Sequence, residues 1–384
     1  MNNIFLFLYL LSLLLCIATY FGYPAVIYII SIFGKINVDK KLNEYPFISV
    51  IISAYNEEKD IETKILNTLG QNYPKNKMEI FIGSDGSGDK TVEIAKKYSH
   101  LGVVVLDFSR NQGKTCVQNE CVKRSKGEIL IFTDAASFLG KEAVGNLVRN
   151  FSDSRIGCVA GRMRFLNTEK NMTTGSQGLY WRYEVKIREL ESRIGRLIGV
   201  DGPLYAIRRE NFIFLEANVI SDLISPLLVM AQGKNVVLED DALVDEDPTT
   251  KSGQELNTRR RITLRALVGL KAHSKLLNPL IHPGLSLQLF FHKVLRWFVG
   301  PLVLVNVLSS ILLSGRKLFL SISICYGVFF LAALLGFFLD HYGKKIRILF
   351  IPYYFTLVNL SATMAIIDFL RKKQSISWKP IRIS

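Results

Sequence analysis

The chain has few cysteines, and none is arranged to bind a metal or staple a fold. Cys16, Cys116, Cys121, Cys158 and Cys325 are scattered without metal-ligand spacing, two of them inside apolar runs. That excludes a thiolate zinc centre and a disulfide framework, and it fits reduced structural thiols in a cytosolic domain. Glycine is short where a dinucleotide fold needs it. Gly83-Ser-Asp-Gly-Ser-Gly88 carries an aspartate inside the turn and lacks the usual spacing of three glycines, which excludes the Rossmann fingerprint. No internal repeat or low-complexity tract is present. The basic residues form no aromatic-interleaved patch on a recognisable module, so nucleic acid is not an expected partner despite the net charge of +15.

Charge is missing from long runs toward both ends of the chain. Met1 to Gly34 contains no charged residue, and a bilayer span takes about 20 residues. The segment lacks the basic start and small-residue cleavage site of a signal peptide, so residues 1–34 are expected to form a retained transmembrane helix, bent near Gly22-Tyr-Pro24. Three further charge-free runs, Trp297 to Gly315, Leu318 to Leu339 and Ile348 to Ile367, are each long enough to span once. They place C-terminal transmembrane helices within 297–370, after an interfacial segment at 277–296 and before a basic tail at 371–384.

Lys35, Lys40 and Lys41 follow the first helix and nothing basic precedes it, which puts the middle of the chain in the cytoplasm of a multi-pass cell-membrane protein. Three C-terminal spans would carry Arg371-Lys-Lys373 to the opposite side, against the same rule. The Pro-containing run Ile348 to Ile367 is therefore the one expected to be re-entrant or interfacial. The excess of basic residues suits anionic lipid headgroups and also an anionic substrate such as a nucleotide diphosphate.

Between these ends, strand and helix signals alternate from Phe47 to about Asn150, as a doubly wound α/β domain requires. Phe47-Ile-Ser-Val-Ile-Ile-Ser-Ala reads as a strand buried on both faces, followed by a helix from Glu57 to Gly70. Further strands are expected at Met78 to Ser84, Val103 to Asp107 and Glu128 to Thr133. Helices are expected from Thr91 to Tyr98 and after Asn111-Gln-Gly-Lys114. The strand tips carry acids: Glu57 with Glu58, Asp85 with Asp89, and Asp134. Carboxylates there suit ribose hydroxyls, a base N–H or a divalent cation bridging phosphates, and suit phosphate itself poorly.

Tyr55-Asn-Glu-Glu58, Ser84-Asp-Gly-Ser87, Asn111-Gln-Gly-Lys114 and Phe132-Thr-Asp134, in this order, resemble the nucleotide-sugar half of a family 2 glycosyltransferase, the family of cellulose, hyaluronan and poly-N-acetylglucosamine synthases. The likeness continues through Gly202-Pro-Leu-Tyr-Ala-Ile-Arg-Arg209, Ser221-Asp222-Leu and Arg259 to Arg261, and covers roughly residues 46 to 300. It implies an α/β fold, a GT-A-like doubly wound mixed sheet at 46–276, flanked by transmembrane helices. It implies an inverting, membrane-bound transferase of surface polysaccharide biosynthesis. The donor would be a nucleotide sugar, UDP-linked by resemblance, and the acceptor a saccharide or lipid-linked.

By the same resemblance Asp85 contacts the uracil or ribose, Tyr55 and Glu57 shape the base pocket, and Asp222 is the general base. Lys114 either faces a phosphate or is a solvated first-turn residue. Trp181, Gly202 and Tyr205 fall in the acceptor region. Asp134 matches the first acid of the Asp-x-Asp metal motif, but Ala136 holds the third position, leaving one carboxylate to help bind Mg²⁺ or Mn²⁺. Arg261, with Arg259 and Arg260, stands where the family has Gln-x-x-Arg-Trp; the Gln and Trp are missing, which puts processivity in doubt. A guanidinium there would stabilise the leaving diphosphate, and the same cluster would also suit an interfacial helix. Glu239-Asp-Asp241 and Asp245-Glu-Asp247 read as a solvated face. Asp222 has a bland alternative as a helix N-cap with Ser221. The rival readings are a non-processive polyprenyl-phosphate glycosyltransferase and a catalytically weak scaffold subunit.

Overall fold

The β-branched run at the start of the domain forms β1 (Ile48–Ala54), buried at every position because strands flank both its edges and helices cover both faces. This is seen in a computed structural model, which describes residues 2–165, 176–246, 252–344 and 346–373. β1 pairs in parallel with β2 (Met78–Ser84) on one side and β4 (Ile129–Asp134) on the other, and β2 pairs in parallel with β3 (Val103–Asp107). Beyond β4 the sheet changes hand. β7 (Leu204–Arg208) runs antiparallel to both β4 and β6 (Ile156–Phe165). β8 (Asn235–Glu246) lies parallel to β6, and the short β5 (Phe138–Leu139) closes the edge. The order is β3-β2-β1-β4-β7-β6-β8-β5, a mixed α/β sheet of GT-A type.

The strands at 78–84 and 103–107 match the sequence expectation. The first helix does not start at Glu57: it spans Ile61–Leu69 and ends on Gly70. Residues 57–60 form a tight turn in which the amides of Asp60 and Ile61 both donate to Glu57 O, at 3.0 and 2.9 Å. Asn56 sets that turn with a left-handed φ of 53°, a conformation asparagine tolerates.

At the N-terminus, helices Asn2–Ile17 and Tyr23–Phe33 are joined by a π-helical turn, Ala18–Gly22, where the bend was expected. Among the described residues, three helices are able by length and composition to cross a membrane, or up to four if a bent pair forms one span. That pair puts a corner at the start of the run expected at 297–315, whose remainder is one unbroken helix, Val299–Leu312. Pro283–Trp297 and Val299–Leu312 meet at 60°, and Pro301, with no N–H to donate one turn back, explains why the helix does not continue through Phe298. Lys317–His341 is uninterrupted.

Helix Arg347–Leu370 packs along Ser252–Ala272 of the soluble half, with Arg260 paired to Asp368 near one end and Arg259 donating to Tyr354 Oη (2.7 Å) near the other. A second seam joins the N-terminal helix to Ser176–Arg193. There His292 lies between two carboxylates, Nδ1 2.5 Å from Glu191 and Nε2 3.1 Å from Glu184. Tyr23 donates to Glu191, while Lys293 and Arg296 pair with Glu184.

Candidate active site

The carboxyl ends of β1, β2 and β4 are laced together by their own polar residues. The amide of Asn56 donates to Ser87 Oγ (3.0 Å), that of Gly88 to Asn56 Oδ1 (2.8 Å), and that of Glu57 to Thr91 Oγ1 (2.7 Å). Asp85 is almost fully buried. Its Oδ1 accepts from the amide of Gln112 (2.6 Å) and its Oδ2 from that of Gly113 (2.9 Å). Burial raises its pKa, and these two donors oppose the rise. Asp85 thus holds the loop that opens helix Lys114–Arg124, a positioning job the sequence did not reveal. Gly86 makes that loop possible, since its φ is +72° and a Cβ would lie 2.5 Å from the carbonyl carbon of Arg110. Gly86→Ala is expected to cost at least about 1–2 kcal/mol from the backbone conformation alone, read as a lower melting temperature of the detergent-solubilised chain.

Held this way, Lys114 turns inward. It is not the solvated residue of the bland reading: its Nζ pairs with Asp134 Oδ1 at 2.6 Å, donates to Gly202 O at 3.3 Å, and is mostly buried. Burial works against the charge on Lys114, but Asp134, Asp222 and Glu246 outweigh it and raise the pKa above the ordinary lysine value. Burial pushes the Asp134 carboxyl up, against the pull of Lys114.

Asp222 sits across Gly202. A Cβ on Gly202 would fall 2.5 Å from Asp222 Oδ2 and 3.1 Å from Lys114 Nζ, so only glycine lets these groups share the space. Capping does not account for Asp222, because the N-cap of Ser221–Ala231 is Ile220, which makes no side-chain cap bond. Asp134, Lys114, Gly202 and Asp222 therefore converge on one spot, though they come from β4, two helix starts and the turn before β7.

One expected site residue lies elsewhere. Tyr205 is 1% exposed, with its ring stacked on Phe132 at 4.8 Å, so it has no face left for an acceptor and belongs to the core. In the Arg259–Arg261 run, Arg259 pairs with Glu255 and lies over the rings of Tyr180 and Tyr354, and Arg260 pairs with Asp368. Those two guanidiniums hold the C-terminal helix. Burial lowers the pKa of Arg261. Arg265 also reaches the cluster: its Nη2 donates to Thr115 Oγ1 (3.2 Å) and Val219 O (2.8 Å), tying the approach to Asp222 onto the Lys114 helix. It lies one helical turn beyond Arg261, a spacing that was the available signal.

Lys64 was also missed. It is fully buried, and its Nζ donates to Thr133 Oγ1 (2.8 Å) and Ser137 O, bracketing the Asp134 turn; burial lowers its pKa to about 7. Tyr55 is half-buried at the β1 tip and Glu57 is buried there. The acidic run is not simply a solvated face: Glu239 is buried against Asn150, while Asp240 and Asp245 pair with Arg162 and Arg164. Asp247 and the tail from residue 374 lie outside the described residues.

Residues 49–213 match the family model described as glycosyl transferase family 2. They form a glycosyl transferase family 2 domain. Among relatives, a beta-monoglucosyldiacylglycerol synthase of Trichormus variabilis is 27% identical over 169 residues, 43% of this chain and 36% of that protein. A poly-beta-1,6-N-acetyl-D-glucosamine synthase of Staphylococcus aureus is 30% identical over 131 residues, 34% of this chain and 31% of that protein. The chain thus spans about a third of the length of these curated relatives. A mannosyltransferase from Pyrobaculum calidifontis, solved with GDP-Man and Mn²⁺, shares the fold with a TM-score of 0.70 at 19% identity, over 95% of this chain and 99% of that one.

Among the described residues of the family 2 domain and its flanks, no three Asp, Glu, His or Cys side chains converge closely enough to hold a metal ion. Asp134, the carboxylate expected to help hold a divalent cation, is partly exposed and already paired with Lys114. One carboxylate fits an ion that takes its other ligands from a diphosphate and water, and does not fit an all-protein cage.

Proposed function

We propose that this chain is a membrane-bound inverting glycosyltransferase that moves a sugar from a nucleotide donor to a saccharide or lipid-linked acceptor in surface polysaccharide biosynthesis. The observation that carries the reading is the seating of Asp222 against Gly202, beside the Lys114–Asp134 pair at the carboxyl ends of the parallel strands. In open α/β sheets ligands bind in that crevice.

The nucleoside would lie over the β1 and β2 tips, beside Tyr55, Glu57 and the loop held by Asp85. Its diphosphate would reach Lys114. The acceptor hydroxyl attacks the anomeric carbon and Asp222 takes its proton. The bond to the diphosphate breaks on the opposite face, the leaving group keeping the electron pair, and the anomeric configuration inverts. Lys114 stabilises the charge left on the diphosphate. A divalent ion at Asp134, Mg²⁺ or Mn²⁺, would supply further neutralisation of that charge when bound.

A short, non-processive product is favoured by two features. The Gln and Trp expected around Arg261 are absent, and Arg259 and Arg260 are engaged with the C-terminal helix. That helix, tied to the soluble half near both ends, is assigned an interfacial rather than a spanning position, which returns the basic tail to the cytoplasmic side.

The test is a screen of radiolabelled UDP- and GDP-sugars on membranes carrying the chain, with product sizing. Incorporation above that of Asp222→Asn membranes supports the reading; tight nucleotide binding with neither transfer nor hydrolysis would favour the scaffold alternative. EDTA is expected to reduce activity at least tenfold, with recovery in Mg²⁺ or Mn²⁺. Full activity in chelator would leave Lys114 as the sole cation at the diphosphate.

A further inference from the structure

We propose that a cavity next to Asp222 is an acceptor subsite selective for a saccharide bearing a negative charge. The inference rests on the transferase reading for its role, but not for its binding chemistry. The cavity, about 310 Å³, lies between helix Ser176–Arg193 and the edge of β6. It adjoins the reacting centre covalently: Asp201 lines it, and the next residue is Gly202, against which Asp222 is seated.

Its walls combine an aromatic face with basic groups. Trp181, Arg182, Lys186 and Arg188 come from one side of the helix, and Arg162 from β6. Arg162 owes its position to a bulge, because the β6–β8 register jumps between Gly161, opposite Glu239, and Arg162, opposite Leu243. Against these four cations the cavity presents two carboxylates, Glu189 and Asp201, each already engaged. Glu189 accepts from Arg162 at 2.8 Å and pairs with Lys186 at 3.4 Å, Arg162 also pairs with Asp240 at 2.6 Å, and Asp201 accepts from Arg188 Nη1 at 2.6 and 2.7 Å.

One nitrogen of that pair has no acceptor. Arg188 is 7% exposed, and its Nη2 has no hydrogen-bond partner. A buried guanidinium nitrogen left this way is costly, and a charged oxygen would satisfy it better than a neutral one. Arg182 and Lys186 stand exposed at the rim and add positive potential at the entrance. Trp181 gives the wall an aromatic surface of the kind sugar rings pack against. A neutral glycan would use the aromatic wall and leave Arg188 Nη2 without a charged acceptor. A carboxylated glycan or the phosphate of a lipid-linked sugar would use both.

The chain contains three tryptophans, so Trp297→Phe with Trp378→Phe leaves Trp181 as the only indole. The full-length variant in detergent, at about 0.15 M salt where exposed charges more than roughly 8 Å apart are screened, is titrated with tetragalacturonic acid, glucose 6-phosphate and maltotetraose while Trp181 fluorescence is followed. Saturable quenching by an anionic probe is expected at an affinity at least tenfold tighter than for maltotetraose. The preferred probe separates a carboxylate from a phosphate source. Adding Arg182→Gln and Lys186→Gln, both exposed positions, should weaken that binding at least tenfold with no change in thermal unfolding. Equal affinity for neutral and anionic probes, no quenching by any of the three, or undiminished binding to the double variant would overturn the proposal. No nucleotide sugar is present, so failure here is distinct from failure of the transferase reading, which shows as absent transfer in the membrane screen.

Discussion

Asp222→Asn is expected to lower the turnover of sugar transfer roughly a thousandfold, within the range that general-base catalysis contributes, while the affinity for the nucleotide donor stays within a factor of about two. Asparagine keeps the size of the side chain and its seat against Gly202, where the carboxylate oxygen already lies 2.5 Å from the place a Cβ would occupy. What it loses is the capacity to accept a proton. The measurement pairs single-turnover transfer with equilibrium binding of the nucleoside diphosphate. Near-normal turnover would remove Asp222 from the chemistry; loss of nucleotide binding would mean that its charge organises Lys114 rather than the acceptor.

Lys114→Met is expected to have the second-largest effect, and to act on both donor binding and stability. The side chain retains its length but leaves Asp134, which pairs with Lys114 at 2.6 Å, without its ion-pair partner in a largely buried site. Breaking a buried pair by removing one partner costs about 3–5 kcal/mol in a fully buried setting. Asp134 and Lys114 keep 19% and 10% side-chain exposure, so a smaller loss of about 1–3 kcal/mol is expected here. Donor affinity should fall at least tenfold, because one cation facing the diphosphate is lost. The double variant Lys114→Met/Asp134→Asn should recover much of the thermal stability and none of the donor affinity. Recovery of both would show that Lys114 serves only to neutralise Asp134.

These two residues illustrate how legible the site was. Asp222 and Asp134 were found from short motifs in a fixed order, and the structure brings them together although 88 residues separate Lys114 from Gly202. Arg261 and Tyr205 were selected by the same reasoning. Tyr205 proved to be core, because alternation along β7 turns its ring under the sheet onto Phe132. In the arginine run, the contacts of Arg259 and Arg260 depend on where the C-terminal helix packs. Lys64 was overlooked for a comparable reason. In sequence it is one lysine of an exposed-looking helix, and only the crossover of that helix onto the β4 tip buries it under the Asp134 turn.

The amino-acid sequence by itself determined the order of strands and helices from β1 to β4, the acidic character of their tips, the charge-free ends and the family motifs. Each is a local property, written in side-chain periodicity, turn residues or an uninterrupted apolar run. The tertiary structure alone decided which acids converge, that Lys114 points inward and that Asp85 serves a loop. It also set a 60° corner ahead of the helix Val299–Leu312 and joined the arginine helix to the C-terminal one. Those features depend on contacts between residues far apart in the chain, where burial and pairing, not local pattern, set what each charged side chain does.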